Sequence, residues 1–361
     1  MINASLRYWL MAIAGLVMAV APGHGRAAPQ NLADIAMMTG SDRQGKLEAG
    51  AKKEGLIALY TTLIPEGSEP LRDAFVKKYP FLKFDLVRAN NAQLVQRLIA
   101  EARARKPSAD VAMGGFSDAM DSAELIAPFA SPEFSAYPKE YVGKNNLWFM
   151  YRLASFGIGY NTKLLPPADI PKSYEDLVDP KYRGQMIWGN SRDTGAMFLV
   201  NHWRSIWDSK KAETFFDGLA KQQLSRSNAS VRALLDLVIA GEHKILITTS
   251  LNHVVDSASQ GAPVWFTSPD PVPTRSDHVM LMKEAPHPHA AMLFLDYLMS
   301  KEGQTVLTEN AFQVSRPDVS PTAIQRPIIP HFNGRTAKAY SSQDFEGKEA
   351  ELEDIVNRIS P

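Results

Sequence analysis

The sequence predicts an α/β protein with two lobes that face each other across one ligand-binding cleft. Apolar, strand-like runs alternate with amphipathic helical segments in both halves of the chain. Small or polar residues directly follow several of these runs, at the sheet edge where open α/β sheets bind their ligands. Two strand-like stretches, near residues 150–155 and 268–276, lie where the chain would cross between the halves. With 361 residues, 45% of them hydrophobic, the chain is long enough for two domains.

In the first half, the pattern predicts a parallel sheet with helices between its strands. Apolar residues four apart predict helices over Arg43–Lys53 and Ala92–Arg105, and Pro80 stops a third helix that lies between them. The strands are predicted at Leu56–Tyr60, Phe84–Val87 and Ala109–Met113. We assign residues 42–152 to the first lobe and expect residues 273–340 to return to it.

The same alternation resumes in residues 153–272, which we assign to the second lobe. Strands are predicted at Ser155–Asn161, Met186–Gly189, Lys244–Thr248 and Val264–Thr267. Helices are predicted from about Thr194 to Trp207, over Ala212–Leu219 and over Val231–Ala240. After the second crossing, His278–Met282 is predicted as a strand and His289–Met299 as a helix, and the acidic stretch Glu346–Asp354 as a solvated helix.

The balance of charges and the absence of cysteine exclude several classes of function. Lysine plus arginine and aspartate plus glutamate each total 39. The chain therefore lacks the basic surplus with which proteins bind nucleic acids or anionic membranes. Without cysteine there are no disulfides, thiolate metal sites, cysteine nucleophiles or lipid-modified cysteines. We expect a small-molecule ligand, no nucleic-acid partner and no cofactor.

Residues 1–27 have the pattern of a cleaved secretory signal peptide. Arg7 precedes an apolar run from Tyr8 to Ala21, and Gly25-Arg26-Ala27 offers small residues where a signal peptidase cleaves. A membrane anchor is the alternative, but this run is shorter than the roughly 20 residues that span a bilayer. We therefore expect an exported, soluble protein. Removal of Arg7 and Arg26 leaves 37 basic and 39 acidic side chains, a net charge of −2.

Seven segments between Asp42 and Gln304 carry a resemblance to a known family. In order, they are DRQGKLEAGAKKEG, LYTT, LRDAFVKKYPFLKF, ADVAMGG, FGIGYNTKLLP, SYEDLVDPKYRGQM and APHPHAAMLFLDYLMSKEGQ. Together they resemble the extracellular solute-binding proteins of ABC importers, in the branch that contains ferric-iron, thiamine, polyamine and phosphonate binders. The resemblance implies a type II periplasmic-binding-protein fold with two crossover strands. It also implies a monomeric periplasmic receptor that closes on one solute by a hinge motion and delivers it to a membrane permease.

Candidate ligand contacts follow from the strand ends that would line such a cleft. Hydroxyl groups, backbone exposed at glycines, and helix N-termini are the groups that bind ligand oxygens there. In the first lobe the candidates are Thr61, Thr62, Gly114, Gly115 and Phe116. In the second lobe they are Asn190, Ser191, Thr194, Gly195, Arg226, Asn228, Asn252 and His253. The alternatives are helix capping for the two threonines, a turn for the two glycines, a solvated surface position for Arg226, and a structural hydrogen bond for His253.

The resemblance also permits a test for iron binding. Ferric-binding members of this branch use two adjacent tyrosines near the strand predicted at Lys244–Thr248, because Fe(III) favours anionic oxygen ligands. Here that stretch reads TTSLNH, and none of the 11 tyrosines has a tyrosine neighbour. An organic or anionic solute is therefore favoured over bare Fe(III), while a chelated metal stays open.

Catalytic and metal-binding motifs are incomplete. Gly40–Lys46 has phosphate-loop spacing, but Leu47 stands where a serine or threonine would bind magnesium. The Gly189–Asp193 turn resembles a nucleophile elbow without its last glycine. The alternative function is therefore a secreted serine hydrolase that uses Ser191 with His253 or His202. His287 and His289 have the spacing of a metal-binding pair or of a helix entry, and no HExxH motif or carboxylate cluster accompanies them.

Overall fold

The computed structural model describes residues 31–190, 195–330 and 333–361. The predicted signal peptide, and the candidate contacts Ser191 and Thr194, lie outside these residues. Within these ranges no helix combines the length and the apolar character that a membrane crossing requires.

Strands and helices alternate along the chain much as the sequence predicts. The first part contains α1 (Leu32–Ala36), α2 (Arg43–Glu54), β1 (Leu56–Thr61), α3 (Pro65–Lys78), β2 (Lys83–Arg88), α4 (Asn91–Arg103), β3 (Val111–Gly114), α5 (Ser117–Ser122) and β4 (Ile126–Ala127). The middle part contains β5 (Phe149–Asn161), β6 (Met186–Gly189), α6 (Ala196–Ile206), α7 (Ser209–Ala220), β7 (Ser225–Ser227), α8 (Val231–Ala240), β8 (Ile245–Ser250), α9 (Leu251–Ser259) and β9 (Val264–Thr267). The last part contains β10 (Val272–Met282), α10 (Pro288–Met299), α11 (Lys301–Glu309), β11 (Gln313–Val314), β12 (Ala337–Tyr340) and α12 (Glu349–Ile359).

The strands form one hydrogen-bonded path, β2-β1-β3-β10-β5-β8-β6-β7, that runs through both lobes. Its middle is β5, a strand of 13 residues. The first part of β5 pairs antiparallel with β10 in the sheet of the first lobe, and its last part pairs with β8 and β9 in the sheet of the second lobe. The first predicted crossing, near 150–155, therefore lies in the first half of one continuous strand that enters the second sheet at Phe156, and the second, near 268–276, leads from β9 into β10.

The core of the first lobe is built around α10. Nine of its 12 residues are buried, because the helix packs between the sheet and the helices α1, α2, α3 and α11. A buried ion pair joins α10 to α2: the Arg43 guanidinium contacts Asp296 and also donates hydrogen bonds to the backbone oxygens of Met38 and Ala130, at 2.8 and 3.1 Å. This network uses Nε and both Nη groups of a guanidinium that water barely reaches.

Two histidines at the start of α10 bind carboxylates of the same lobe. The Nδ1 atom of His287, the N-cap residue of α10, lies 3.0 Å from Asp110 Oδ2, and His289 Nδ1 lies 2.6 Å from Glu54 Oε1. Each histidine therefore has its own carboxylate partner, and together they form the helix entry rather than a metal pair. Across the described part of the chain, no three His, Cys, Asp or Glu side chains are grouped so that they could hold a metal ion.

Within residues 273–340, which we expect to return to the first lobe, β10, α10 and α11 pack on that lobe, whereas the last part of this range packs on the second. Ile328 and Ile329 belong to a core cluster with α8 and α9, and Tyr340 packs against the helix α6. Helix α12 buries Leu352, Ile355, Val356 and Ile359 against the same lobe, so the helix is amphipathic and not solvated on all sides. The reason is its apolar spacing of three and four residues, which creates a face that must be covered. The lobe boundaries at 152/153 and 272/273 stay a proposal.

Candidate functional site

A cleft of about 860 Å³ opens between the two lobes, with the two long strands as its floor. Side chains alternate along β5, so Arg152, Ala154 and Phe156 all face the cleft. Arg275 and Asp277 of β10 face it in the same way. In the antiparallel register Arg152 lies opposite Asp277, and Ala154 lies opposite Arg275. We call these five residues the cleft floor.

Arg152 and Asp277 form an ion pair across the floor strands, with only 12% and 6% of their side chains exposed. Burial opposes the charged form of Asp277, but the positive charges of Arg152 and Arg275 outweigh it and lower the pKa of the carboxyl group. The Phe312 ring lies 5.1 Å from the Arg152 guanidinium carbon, in a cation–π contact. The floor therefore holds two arginines and one carboxylate whose ionised form they stabilise.

Four helices begin at the walls of the cleft. The N-cap residues of α3, α4, α8 and α9 are Ile64, Asn90, Ser230 and Ser250, and all four line the cleft. The first backbone N–H groups of a helix have no partner within it and carry the positive end of its dipole. Helices from both lobes thus present a positive potential to the same space, which favours an anion.

Two further arginines stand on the walls. Arg88 ends β2 on the first lobe and is exposed. Arg232 lies in the first turn of α8 on the second lobe, with Asp256 Oδ2 at 3.1 Å and Asp236 Oδ1 at 3.4 Å. Of the described residues that line the cleft, four are arginines and one, Asp277, is an acid.

Five of the predicted contacts line this cleft: Thr62, Asn190, Asn228, Asn252 and His253. Thr62 follows β1, while Asn252 and His253 lie in the first turn of α9. The amide of Asn190 donates a hydrogen bond to Asn228 Oδ1, so these two side chains form one polar group on the second lobe. Whether any of the five touches the solute stays a prediction.

Other predicted contacts have structural roles in their own lobes. Thr61 is fully buried, and its hydroxyl accepts a hydrogen bond from the backbone N–H of Leu63. Phe116 is a core residue, 2% exposed, and a Cβ at Gly114 would lie 2.4 Å from its ring. Gly195 is the buried N-cap of α6. The polarity or small size of these residues serves turns and packing here, a distinction that sequence alone does not make.

Two predicted contacts, Arg226 and Gly115, are not among the described residues that line the cleft but adjoin residues that do. The guanidinium of Arg226 donates to Asn190, and at 2.6 Å to Asn357 Oδ1 of α12, so it positions the cleft residue Asn190. A Cβ at Gly115 would lie 2.6 Å from an Nη atom of Arg275. Glycine at this position therefore makes room for the Arg275 guanidinium, and contact of the Gly115 backbone with the ligand stays a prediction.

Sequence reasoning missed most of the charged residues of the cleft. Arg152, Arg275 and Asp277 lie within strands, whereas our candidates came from strand ends. The available signal was one arginine within YRLAS and two charged residues at alternate positions of TRSDH. Because both crossings must be buried on one side, these charges indicate the side that faces the ligand.

The histidines of the alternative hydrolase occupy different places. His202 is fully buried in the second lobe, and its Nδ1 lies 2.8 Å from the Tyr340 hydroxyl oxygen. His253 lines the cleft, and Ser191 is outside the described residues. His202 is therefore a core residue, and nothing in the described chain supports a hydrolase.

Three histidines give an expected pH dependence of stability. Burial lowers the pKa of His202 to about 3, and it lowers the pKa values of His253 and His278 to about 4. The positive charges of Arg232 and Arg152 lower the pKa of His253 further, and that of Arg275 lowers the pKa of His278 further. Between these values and about 6.5 the unfolded chain binds more protons than the folded one, so stability falls as the pH falls through this window. We expect a loss of up to about 1.4 kcal/mol per pH unit for each histidine.

The measurement is urea unfolding of the wild type and of His202→Gln at pH 7, 5.5 and 4.5. The variant should lose less of its free energy of unfolding between pH 7 and pH 4.5 than the wild type does. Equal losses would contradict the assignment of His202 as a neutral, buried imidazole.

Known proteins share the sequence family and the fold of this chain. A family model described as bacterial extracellular solute-binding protein matches residues 106–327. Iron uptake protein A2 from Synechocystis is 24% identical over 271 residues, which are 70% of this chain and 75% of that protein. Iron-bound HitA from Pseudomonas aeruginosa has a TM-score of 0.69 at 20% identity, over 85% of this chain and 99% of that one. AfuA from Actinobacillus pleuropneumoniae, solved with exogenous fructose-6-phosphate, has a TM-score of 0.64 at 21% identity, over 84% and 97%. The predicted two-lobed periplasmic-binding fold is confirmed.

Proposed function

Since the chain belongs to the family of bacterial extracellular solute-binding proteins, we propose that this substrate-binding receptor of an ABC transporter captures a small anionic organic solute. The observation that carries the proposal is the charge of the cleft: among the described residues, four arginines, one acid and four helix N-caps line one space. A solute whose charge matches this potential is bound from both lobes at once, which stabilises the closed form.

An organic anion is favoured over bare Fe(III) by the chemistry of the lining residues. The related proteins HitA and iron uptake protein A2 bear names or titles that refer to iron, and AfuA one that refers to fructose-6-phosphate. In this chain, no tyrosine is among the described residues that line the cleft, and the only carboxylate there is paired with Arg152. A hard trivalent cation needs several anionic oxygen ligands, whereas a phosphate or carboxylate needs the arginines that are present.

The remaining features follow from this role. The receptor is periplasmic and monomeric and catalyses no reaction. It presents its closed form to the permease, and the permease distinguishes the closed form from the open one. The hinge is the middle of β5, which pairs in both sheets, and the start of β10, where the chain returns from β9.

A thermal-shift screen of the mature protein tests the proposal. The panel contains sugar phosphates, phosphonates and carboxylates, with polyamines, thiamine and ferric chelates as competing classes. We expect at least one organic anion to raise the melting temperature by about 3 °C or more at a large excess over its Kd. Stabilisation by polyamines or thiamine alone, or by ferric ion independently of the chelator, would contradict it.

A further inference from the structure

We propose that the cleft floor selects a hydroxylated organic anion, a phosphate ester or carboxylate with a hydroxyl group near its anionic end, and that Asp277 makes this selection. The inference rests on the proposed function and names the substrate class. It begins with the unequal sizes of the floor residues. Ala154 has the smallest side chain on the floor and lies opposite Arg275, two residues along the strand from Arg152.

The space above Ala154 is flanked by both floor cations. Cross-strand neighbours have Cβ atoms about 4.5–5.5 Å apart, and diagonal neighbours lie within reach of long side chains. An anionic group over Ala154 therefore lies next to Arg275 and within reach of Arg152. The ion pair with Asp277 uses one Nη group of Arg152, whose side chain is 12% exposed and lines the cleft, so the guanidinium has donor capacity left for a ligand.

Asp277 determines which anions this space accepts. Its side chain faces the same space, next to Arg152 across the strands and two residues from Arg275. The ion pair joins Arg152 to Asp277 Oδ2, and a carboxylate has about four acceptor positions. A bare anion over Ala154 would be repelled by this carboxylate. An anion with a hydroxyl group beside it binds the arginines and donates the hydroxyl hydrogen to Asp277, which turns the repulsion into a charge-assisted hydrogen bond.

The donor is a hydroxyl group rather than an ammonium group because of the charges around the floor. Arg152 and Arg275 flank the space, and Arg88 and Arg232 stand on its walls. Arg232 is already paired with Asp236 and Asp256, but on the described cleft floor two guanidinium groups stand against one carboxylate, so a cation on the ligand would be repelled. A neutral donor satisfies Asp277 without this cost.

Calorimetric titration with matched ligands tests the inference. The pairs are glycerol 3-phosphate against propyl phosphate, lactate against propionate, and phosphoethanolamine against ethyl phosphate. For the wild type we expect the hydroxylated member of at least one of the first two pairs to bind about tenfold more tightly or better. The ammonium pair should show a smaller ratio. Asp277→Asn should reduce the hydroxyl ratio to about threefold or less, mainly because the ligand without a donor binds more tightly once the negative charge is gone.

A matched control separates selection from damage to the fold. Asp73→Asn removes a carboxylate that is 68% exposed and paired with Arg72, and it should leave the ratio as in the wild type. Equal binding of both members of each hydroxyl pair, a ratio unchanged in Asp277→Asn, or a larger ratio for the ammonium pair would each overturn the inference while leaving the anion receptor intact. If none of the six ligands bound, and no other organic anion did, both the inference and the proposed function would be wrong.

Discussion

Replacing Arg152 by methionine should weaken binding of the organic anion by about 100-fold or more and also destabilise the protein. The guanidinium lines the cleft, so under the proposed function its loss removes a charge-assisted contact from a partly desolvated site. It also leaves Asp277, 4% exposed, without its ion-pair partner. Removing one member of a buried pair typically costs about 3–5 kcal/mol, because the remaining charge stays buried. Calorimetry measures the first effect and urea unfolding the second.

A double variant separates the two effects. In Arg152→Met with Asp277→Asn, neither charge of the pair remains, so most of the lost free energy of unfolding should return while the affinity stays low. Arg97→Met is the matched control, because that arginine is half exposed, pairs with Glu101 on the surface of α4, and should change the affinity little. Wild-type affinity in the double variant would show that Arg152 does not contact the ligand.

Replacing Gly303 by alanine should cost about 2–3 kcal/mol of unfolding free energy, the largest effect we expect of a single methyl group. A Cβ at this position would lie 2.1 Å from the backbone oxygen of Tyr297, at the end of α10, and backbone yields less readily than a side chain. Helix α11 would have to move away from α10. The neighbouring Gln304 donates a hydrogen bond to the backbone oxygen of Tyr151, so the shift would reach β5 beside Arg152.

Gly45 supplies the control for Gly303, since it also lies within a helix. No atom of the described residues lies within 4 Å of a Cβ built at Gly45 in α2, so Gly45→Ala should stabilise the protein by about 0.5–1 kcal/mol through helix propensity. Urea unfolding measures both variants. A Gly303→Ala protein as stable as the wild type would show that α10 and α11 are less closely packed than described.

Local sequence patterns predicted many of the helices and strands, but not which helices and strands pack against each other. Met186–Gly189, Val231–Ala240 and Val264–Thr267 were predicted with the bounds they have, because period and punctuation are local properties. The sequence analysis did not predict helix α11 or the short strand β7, because these segments are weakly apolar and contacts with neighbouring elements stabilise them. The packing of α12 on the second lobe depends on contacts that lie far apart in the sequence.

The sequence indicated where the candidate site lies better than it indicated which charged residues line it. Thr62, Asn190 and Asn252 lie at strand ends that face the cleft, as the rule for open α/β sheets indicates. Two of the four arginines among the described cleft residues, Arg152 and Arg275, lie on strands whose sequence indicated only crossings between the lobes. Their side of the sheet is decided by the register of β5 against β10, which no local pattern determines.

The most direct test of the anion receptor is one calorimetric titration, performed at 50 and 300 mM salt. The titrant is the organic anion that stabilises the protein most in the thermal-shift screen. We expect binding of one ligand per chain, with an affinity that falls at the higher salt because charge attraction is screened. A ligand that binds equally well at both salt concentrations and in Arg152→Met, or a protein that binds ferric ion with no organic anion present, would contradict the account.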